Sequence, residues 1–299
     1  MESKLMNIRC DNCGAEYRVS SRGELVCRFC GSKIYMTDRD FEDYQHTRDE
    51  MLESDRFTND MAENDGDVLG LWQSASLMDI ATESGTHIKF ESYYSVALQG
   101  KEIYIGKTKI AIIFDNRGDA QGYEDIIKEI VYPSADIKGL GRYLPNITFS
   151  SRTADGGYVL ILSKEENIYP LFLFSDLKPT TVAWMISRLE NLGCLLEFND
   201  MDFRKLALED LYINPKTHEL FIFGGWENVS HSKRRNYLED LREIAKGLTD
   251  INAAPELCRK FLNGRPKSTA YDDFKAWDDV IMNGFGGHNF HQFSENDQK

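Results

Sequence analysis

Residues 199–226 read NDMDFRKLALEDLYINPKTHELFIFGGW and predict a β-hairpin around which the rest of the chain can be organised. Residues 211–213 and 220–223 are apolar and predict two short strands. The turn between them is Asn-Pro-Lys-Thr at 214–217, where Pro fixes φ and Asn tolerates a left-handed backbone. The second strand runs into Gly224 and Gly225.

This hairpin resembles the catalytic-loop hairpin of the protein kinase fold, in which H-R-D-L-x-x-x-N precedes one strand and D-F-G follows the next. In this chain the H-R-D triplet falls on Phe203, Arg204 and Lys205, and the downstream Asn falls on Asp210. The D-F-G triplet falls on Phe223 and the two glycines. The resemblance therefore implies a kinase-like fold that lacks the catalytic base and the main metal-holding carboxylate.

The preceding region resembles the small lobe of a kinase. Alternating apolar residues predict a three-strand meander at 92–98, 102–106 and 109–114, and helical spacing predicts a helix at 123–131. One tight turn at 99–101 replaces the Gly-rich loop that covers the phosphates in kinases. The V-A-I-K strand falls on 110–113, which puts Ile113 where the phosphate-holding Lys belongs. The partner Glu would fall near Tyr123 or Glu124, and neither Lys107 nor Lys109 is an obvious substitute for the missing Lys.

The following region resembles a truncated large lobe. A strand at 158–162 and a connector at 164–167 lead to a long apolar helix at 182–198. Further helices are predicted at 240–248, 255–262 and 271–285, and no activation segment ending in A-P-E is present. Cys194 and Cys258 lie among apolar residues and are predicted to be buried thiols rather than reactive ones.

Residues 8–35 carry two C-x-x-C pairs that predict a metal site. The four cysteines are Cys10, Cys13, Cys27 and Cys30, and a Gly follows each pair. Each pair can aim two thiolates at one point, and four thiolates hold a structural Zn²⁺ with no open position for catalysis. The strands at 16–19 and 24–26 are predicted to pair as a hairpin. The unit resembles a zinc ribbon; a redox dithiol pair and an iron site are the alternatives.

Charge bears on the partners. The net charge is −14, which disfavours non-specific binding of nucleic acid by the whole molecule. Residues 1–35 hold six basic and four acidic side chains, so the ribbon is where nucleic acid would bind if it binds at all. Because these charges are interleaved, contact with a protein partner is favoured. The tail His288 and His291 could bind metal but are predicted to be plain surface residues.

The sequence also bears on the location of the protein. No apolar run is long enough to cross a membrane, and the N-terminus lacks the apolar core of a signal peptide, so we expect a cytoplasmic protein without membrane contact. The sequence does not predict the oligomeric state.

The sequence thus predicts an α+β protein with five segments. They are a zinc ribbon at 1–35, an acidic and partly helical linker at 36–67, a small β-rich lobe at 68–163, a helical lobe at 164–290 and a tail at 291–299. The predicted function is a catalytically inactive, kinase-like scaffold that binds protein partners, with Zn²⁺ as its structural metal. One alternative is an atypical phosphotransferase that uses Asp210; another is a zinc-ribbon adaptor associated with nucleic acid. The degenerate hairpin also resembles kinase-like domains of bacteria and bacteriophages.

Overall fold

The computed structural model describes residues 67, 69–132, 141, 143–215, 219–232 and 236–287, together with the backbone of four short strands nearer the N-terminus. The chain divides into two compact units, Met1–Asp65 and Gly66–Lys299. The boundary between them lies close to the end of the predicted acidic linker. The finer boundaries inside each unit stay predictions.

The first unit contains two short antiparallel hairpins. Strand β1 (Asn7–Arg9) pairs with β2 (Glu16–Arg18), and β3 (Gly23–Val26) pairs with β4 (Lys33–Met36). The pairing predicted between 16–19 and 24–26 is therefore wrong. Each hairpin instead spans one C-x-x-C sequence. The four cysteines themselves lie outside the described residues, as do His288 and His291.

A six-stranded antiparallel sheet opens the second unit. Its strands are β5 (Ser76–Ala81), β6 (His87–Leu98), β7 (Lys101–Gly106), β8 (Lys109–Phe114), β9 (Asn146–Arg152) and β10 (Tyr158–Ser163). Their order in the sheet is β5-β6-β7-β8-β10-β9. The predicted meander is present, and β5 precedes it. The sequence prediction missed β5, whose alternation is interrupted by Asp79 and whose Leu77 is exposed.

The sheet curls until its two outer strands meet at one end. Thr82 and Thr153 form an antiparallel bridge, and the amide of Ala154 donates to the carbonyl of Ala81 at 2.8 Å. Each face of the sheet therefore covers a different set of apolar side chains. One face contributes Ile103, Ile105, Ile110, Ile112 and Phe114 to the main core. The other holds a small second cluster of Ile80, Ala111, Val159 and Ile161.

Helix α1 (Arg117–Glu129) follows β8 and packs beside the main core. It begins six residues earlier than predicted, where the Asn116 side chain accepts a hydrogen bond from the amide of Asp119. Such N-caps fix helix starts that apolar spacing alone does not show. Gly118 and Gly122 in its first two turns, which favour other conformations, obscured this start.

The remaining helices form the second half of this unit. They are α2 (Pro179–Phe198), α3 (Asn236–Leu248), α4 (Glu256–Asn263) and α5 (Ala270–Gly284), all close to the predicted positions. Helix α3 starts four residues before the predicted helix. The reason is tertiary: the Asp202 carboxylate accepts hydrogen bonds from the amides of Asn236 and Tyr237 at 2.9 and 3.1 Å and caps the helix.

The predicted hairpin lies between α2 and α3. Strands β13 (Leu211–Asn214) and β14 (Glu219–Ile222) pair antiparallel with Leu211 opposite Ile222. Strand β11 (Tyr169–Pro170) extends this small sheet, while β12 (Met201–Phe203) pairs separately with β15 (Val229–His231). Residues 199–226 thus contribute strands to two short sheets. The pairing in these sheets brings residues 204–210 close to residues 223–228.

Candidate functional site

Asp210 is the centre of the candidate site. Backbone amides of other residues donate hydrogen bonds both to its carbonyl group and to its carboxylate. Its carbonyl accepts hydrogen bonds from the amides of Phe223 and Gly224 at 3.0 and 3.1 Å. Its carboxylate Oδ2 accepts one from the amide of Ala207 at 2.9 Å. The side chain is therefore fixed between the 3₁₀ turn Leu208–Asp210 and the end of β14.

The two glycines after β14 are needed for this approach. A Cβ at Gly224 would clash with the Asp210 carboxylate, and one at Gly225 would come within 2.8 Å of its Oδ2. Gly225 also has a φ of 76°, in the left-handed region that glycine adopts without strain. Because Gly224 and Gly225 have no Cβ, the backbone at these two residues can lie directly against the buried Asp210 carboxylate.

Two further charged side chains meet Asp210. The Lys101 ammonium at the start of β7 lies 2.5 Å from Glu227 Oε1 and 3.9 Å from Asp210 Oδ1. The exposed fractions of the Lys101, Asp210 and Glu227 side chains are only 7, 7 and 9%. Charges that are buried away from water interact far more strongly than charges in water. The three side chains are therefore described together as one ion cluster.

Burial raises the pKa of Asp210 to about 6, although the Lys101 ammonium and the Ala207 amide oppose this rise. The nearby Glu227 carboxylate adds to the upward shift. A carboxyl group whose pKa is shifted by burial and by named charge partners is a common mark of a functional site, and it also occurs in structural ion-pair networks.

Phe223 occupies the predicted D-F-G Asp position with a buried aromatic ring. Its ring centroid lies 5.1 Å from that of Tyr212 and 5.4 Å from that of Phe221. Its carbonyl accepts a hydrogen bond from the Tyr123 hydroxyl on α1 at 2.6 Å. Phe223 is therefore a core side chain. Tyr123, near the predicted position of the partner Glu, joins α1 to the end of β14 through this bond.

The other predicted site residues are not brought to Asp210. Arg204 and Lys205 are both exposed. Ile113 packs against the second cluster, on the face of β8 opposite to Ile112. Ile113 therefore faces away from Lys101, which is paired with Phe114, because neighbouring residues of a strand point to opposite faces of the sheet. The loop after Lys205 is instead held by Asp240 on α3, which accepts from the amide of Leu206 at 2.7 Å.

Sequence reasoning missed Lys101 and Glu227 as site residues. A signal for Lys101 was present: strand alternation places it on the same face as the buried Ile103 and Ile105. A charged residue on an apolar strand face needs a partner, and this criterion could have singled it out. No comparable pattern marks Glu227, which follows the buried Trp226 in an irregular segment.

Other features restrict the chemistry of the described part. In the residues that the structure describes, no group of three or more His, Cys, Asp or Glu side chains could hold a metal ion. Burial raises the pKa of the Cys194 thiol to about 12 and that of Cys258 to about 11, so both thiols stay protonated at neutral pH. Within the same residues, no helix combines the length and apolarity that a membrane span requires.

Comparison with known proteins gives structural likenesses only. No family model matches the chain, and no curated protein matches it. A solved structure of vaccinia related kinase 3 shares 10% identity at a TM-score of 0.48, covering 77% of this chain and 96% of that one. The bifunctional kinase-methyltransferase WbdD shares 10% identity at a TM-score of 0.42, covering 64% of this chain. A crystal structure of WbdD shares 11% sequence identity at a TM-score of 0.38, and the match covers 56% of this chain.

The chain spans 40 and 47% of the two WbdD chains. All three TM-scores are below 0.5, and all three identities are 10 or 11%. The similarity does not extend to activity, substrates or partners.

Proposed function

We propose that this protein is a catalytically inactive, kinase-like scaffold that binds protein partners, with a zinc ribbon as its docking module. The observation that carries the proposal is the engagement of Asp210. Its carboxylate is buried, hydrogen-bonded to the Ala207 amide, pressed against the Gly224–Gly225 backbone and close to the Lys101 ammonium. A carboxylate held in this way is not free to bind Mg²⁺ and a triphosphate.

The surroundings of Asp210 support the same conclusion. Phosphoryl transfer depends on positioning the phosphates and neutralising their charge, so it needs cations and metal-holding carboxylates that face an open site. Here the second metal-ligand position is the buried Phe223, and Tyr123 and Tyr212 are fully or almost fully buried beside it. The position of the catalytic base is Lys205, an exposed cation that cannot accept a proton from a hydroxyl group.

Nucleotide binding by the full-length protein tests the inactive scaffold. We expect no thermal shift with millimolar Mg-ATP and no transfer or hydrolysis of the γ-phosphate. Asp210→Asn is the informative variant, and Lys107→Met, which changes an exposed lysine outside the cluster, is its control. A Mg-ATP-dependent shift or phosphate release that Asp210→Asn abolishes and Lys107→Met leaves unchanged would refute the proposal.

A second candidate is an atypical phosphotransferase, favoured specifically by the Lys101–Glu227–Asp210 cluster. A buried lysine beside two carboxylates contains the types of group that hold phosphate and metal in phosphoryl transfer. In this candidate, Lys101 would hold a phosphate while Asp210 and Glu227 would hold Mg²⁺. The same assay decides between the two candidates, because only the second predicts activity that is lost in Lys101→Met, Asp210→Asn and Glu227→Gln.

The zinc ribbon of the proposal rests on the four cysteines and on the two hairpins that each span one C-x-x-C pair. Zinc content measured on the purified protein should be about one ion per chain, since four thiolates complete a structural site. We expect Cys10→Ser with Cys27→Ser to remove it, whereas Cys194→Ala should retain it. Equal zinc content in both variants would exclude the site.

A further inference from the structure

The Lys101–Glu227–Asp210 cluster contains two carboxylates and one ammonium group from two distant parts of the chain. Lys101 and Glu227 are 126 positions apart. Burying two carboxylates side by side is strongly unfavourable unless a cation lies between or beside them. Among the described residues, Lys101 is the cation within 4.0 Å of either carboxylate.

One oxygen of this cluster lacks a partner. Glu227 Oε1 receives the Lys101 ammonium, but Glu227 Oε2 is buried and has no hydrogen-bond partner in the described part of the chain. Buried polar atoms without a partner are uncommon and call for an explanation. Glu227 Oε2 could therefore accept a contact from a second cation. The Lys101 ammonium contacts only Oε1 of this carboxylate.

The ligand types also suit a metal ion. Mg²⁺ and Mn²⁺ bind oxygen ligands, and sites built from one or two carboxylates and waters are common for Mg²⁺. Asp210 Oδ1 and Glu227 Oε1 both face the Lys101 ammonium, so the lysine occupies the position from which an ion would contact both carboxylates. The position between Asp210 and Glu227 that would suit a metal ion thus contains the ammonium group of Lys101.

We propose that the Lys101 ammonium is the permanent cation of the Asp210–Glu227 pair and keeps divalent metal ions out of it. This inference rests on the proposed function, because it supplies the physical reason why the remaining acidic residues do not bind Mg²⁺. Because Lys101 belongs to the same chain as the two carboxylates, its ammonium group lies beside them at any concentration of solutes.

Binding of Mn²⁺ to the full-length protein tests the inference, with the free aqua ion followed by electron paramagnetic resonance. Mn²⁺ prefers carboxylates to thiolates, which limits its binding to the four N-terminal cysteines. We expect the wild type to show no Mn²⁺ binding that depends on Asp210. Lys101→Met, which keeps the length of the side chain but removes the charge, should bind about one Mn²⁺ per chain with a Kd at or below about 1 mM.

Two control variants make the result specific. Adding Asp210→Asn to Lys101→Met should weaken Mn²⁺ binding at least about tenfold, because it removes a charged ligand. Lys107→Met removes an exposed lysine that pairs with Glu166, and this variant should behave as the wild type does. Metal binding gained equally by both lysine variants would overturn the inference.

Thermal scans in EDTA and in Mn²⁺ cover the case in which Lys101→Met folds poorly. If the lysine is the resident cation, its loss lowers Tm in EDTA, and Mn²⁺ restores several degrees by binding the folded state. A Lys101→Met chain that Mn²⁺ neither binds nor stabilises refutes the inference, as does Asp210-dependent Mn²⁺ binding by the wild type. Phosphate transfer by the wild type would instead refute the proposed function, and it is scored separately in the Mg-ATP assay.

Discussion

Glu190 on α2 is the buried group whose replacement should change stability most clearly. Its side chain is 0% exposed, and neither carboxylate oxygen accepts a hydrogen bond from a donor among the described residues. Asp273 on α5 lies nearby, and Arg242 on α3 pairs with Asp273 at 2.7 Å. One arginine cannot neutralise two buried carboxylates, so we expect Glu190 to keep its proton in the folded protein.

The size of the effect follows from the pKa. Burial, with a further contribution from Asp273, raises the pKa of Glu190 from 4.5 to about 9, while Arg242 opposes the rise. The folded state then holds a proton that the unfolded state has lost, so stability falls as pH rises between these two values. Three pH units above 4.5, at about 1.4 kcal/mol each, give a loss of up to about 4 kcal/mol near pH 7.5.

Glu190→Gln removes this linkage while keeping a similar shape. Its stability should match that of the wild type near pH 4.5 and exceed it by up to about 4 kcal/mol near pH 7.5. Urea unfolding followed by tryptophan fluorescence measures this, because all four tryptophans lie in the second unit. Glu243→Gln, which changes an exposed glutamate on α3, is the control.

Equal pH slopes for the wild type and Glu190→Gln between about pH 5 and pH 8 would refute the reasoning. So would a Gln variant that is less stable than the wild type at the upper end of this range. Either result would mean that Glu190 is ionised in the folded protein and is neutralised there.

Three further stability predictions use the same unfolding assay. Gly224→Ala should destabilise the protein by about 1–3 kcal/mol, because its Cβ clashes with Asp210, whereas Gly122→Ala in open space on α1 should stabilise it by about 0.5–1 kcal/mol. If Gly224→Ala is neutral or stabilising, the approach over Asp210 is looser than described. Asp202→Ala removes the cap of α3 and should lower stability by about 1–2 kcal/mol, and an unchanged midpoint would exclude that role. Tyr123→Phe leaves the Phe223 carbonyl without its donor and should lower stability by about 1–3 kcal/mol; a neutral result would mean that water replaces the hydroxyl.

Much of the local structure could be predicted from the sequence because it depends on short-range patterns. Strand alternation located β6 to β8 and β10, and apolar spacing located α2 to α5 within a few residues. The hairpin around Asn214 and the turn at Gly224 followed from residues with strong backbone preferences. Asp210 was also singled out as a residue of interest, and the contacts that the structure shows for it were not predicted.

The errors have identifiable physical causes. The start of α1 was missed because its N-cap, Asn116, precedes two glycines that weaken the helical pattern. The start of α3 was missed because its cap, Asp202, lies 34 positions away. The hairpins of the first unit were mispaired because the short strands 16–18 and 23–26 carry no signal that selects between neighbours.

The sequence by itself determined the strand meander, the approximate positions of α2 to α5, the glycine pair and the net charge, since each depends on composition or on residues a few positions apart. Only the tertiary structure decided that Lys101, Asp210 and Glu227 share one buried space. The attraction between these charges becomes strong only after the sheet and the hairpin have packed and excluded water. No local pattern records that event, and the ion cluster is therefore a property of the folded chain alone.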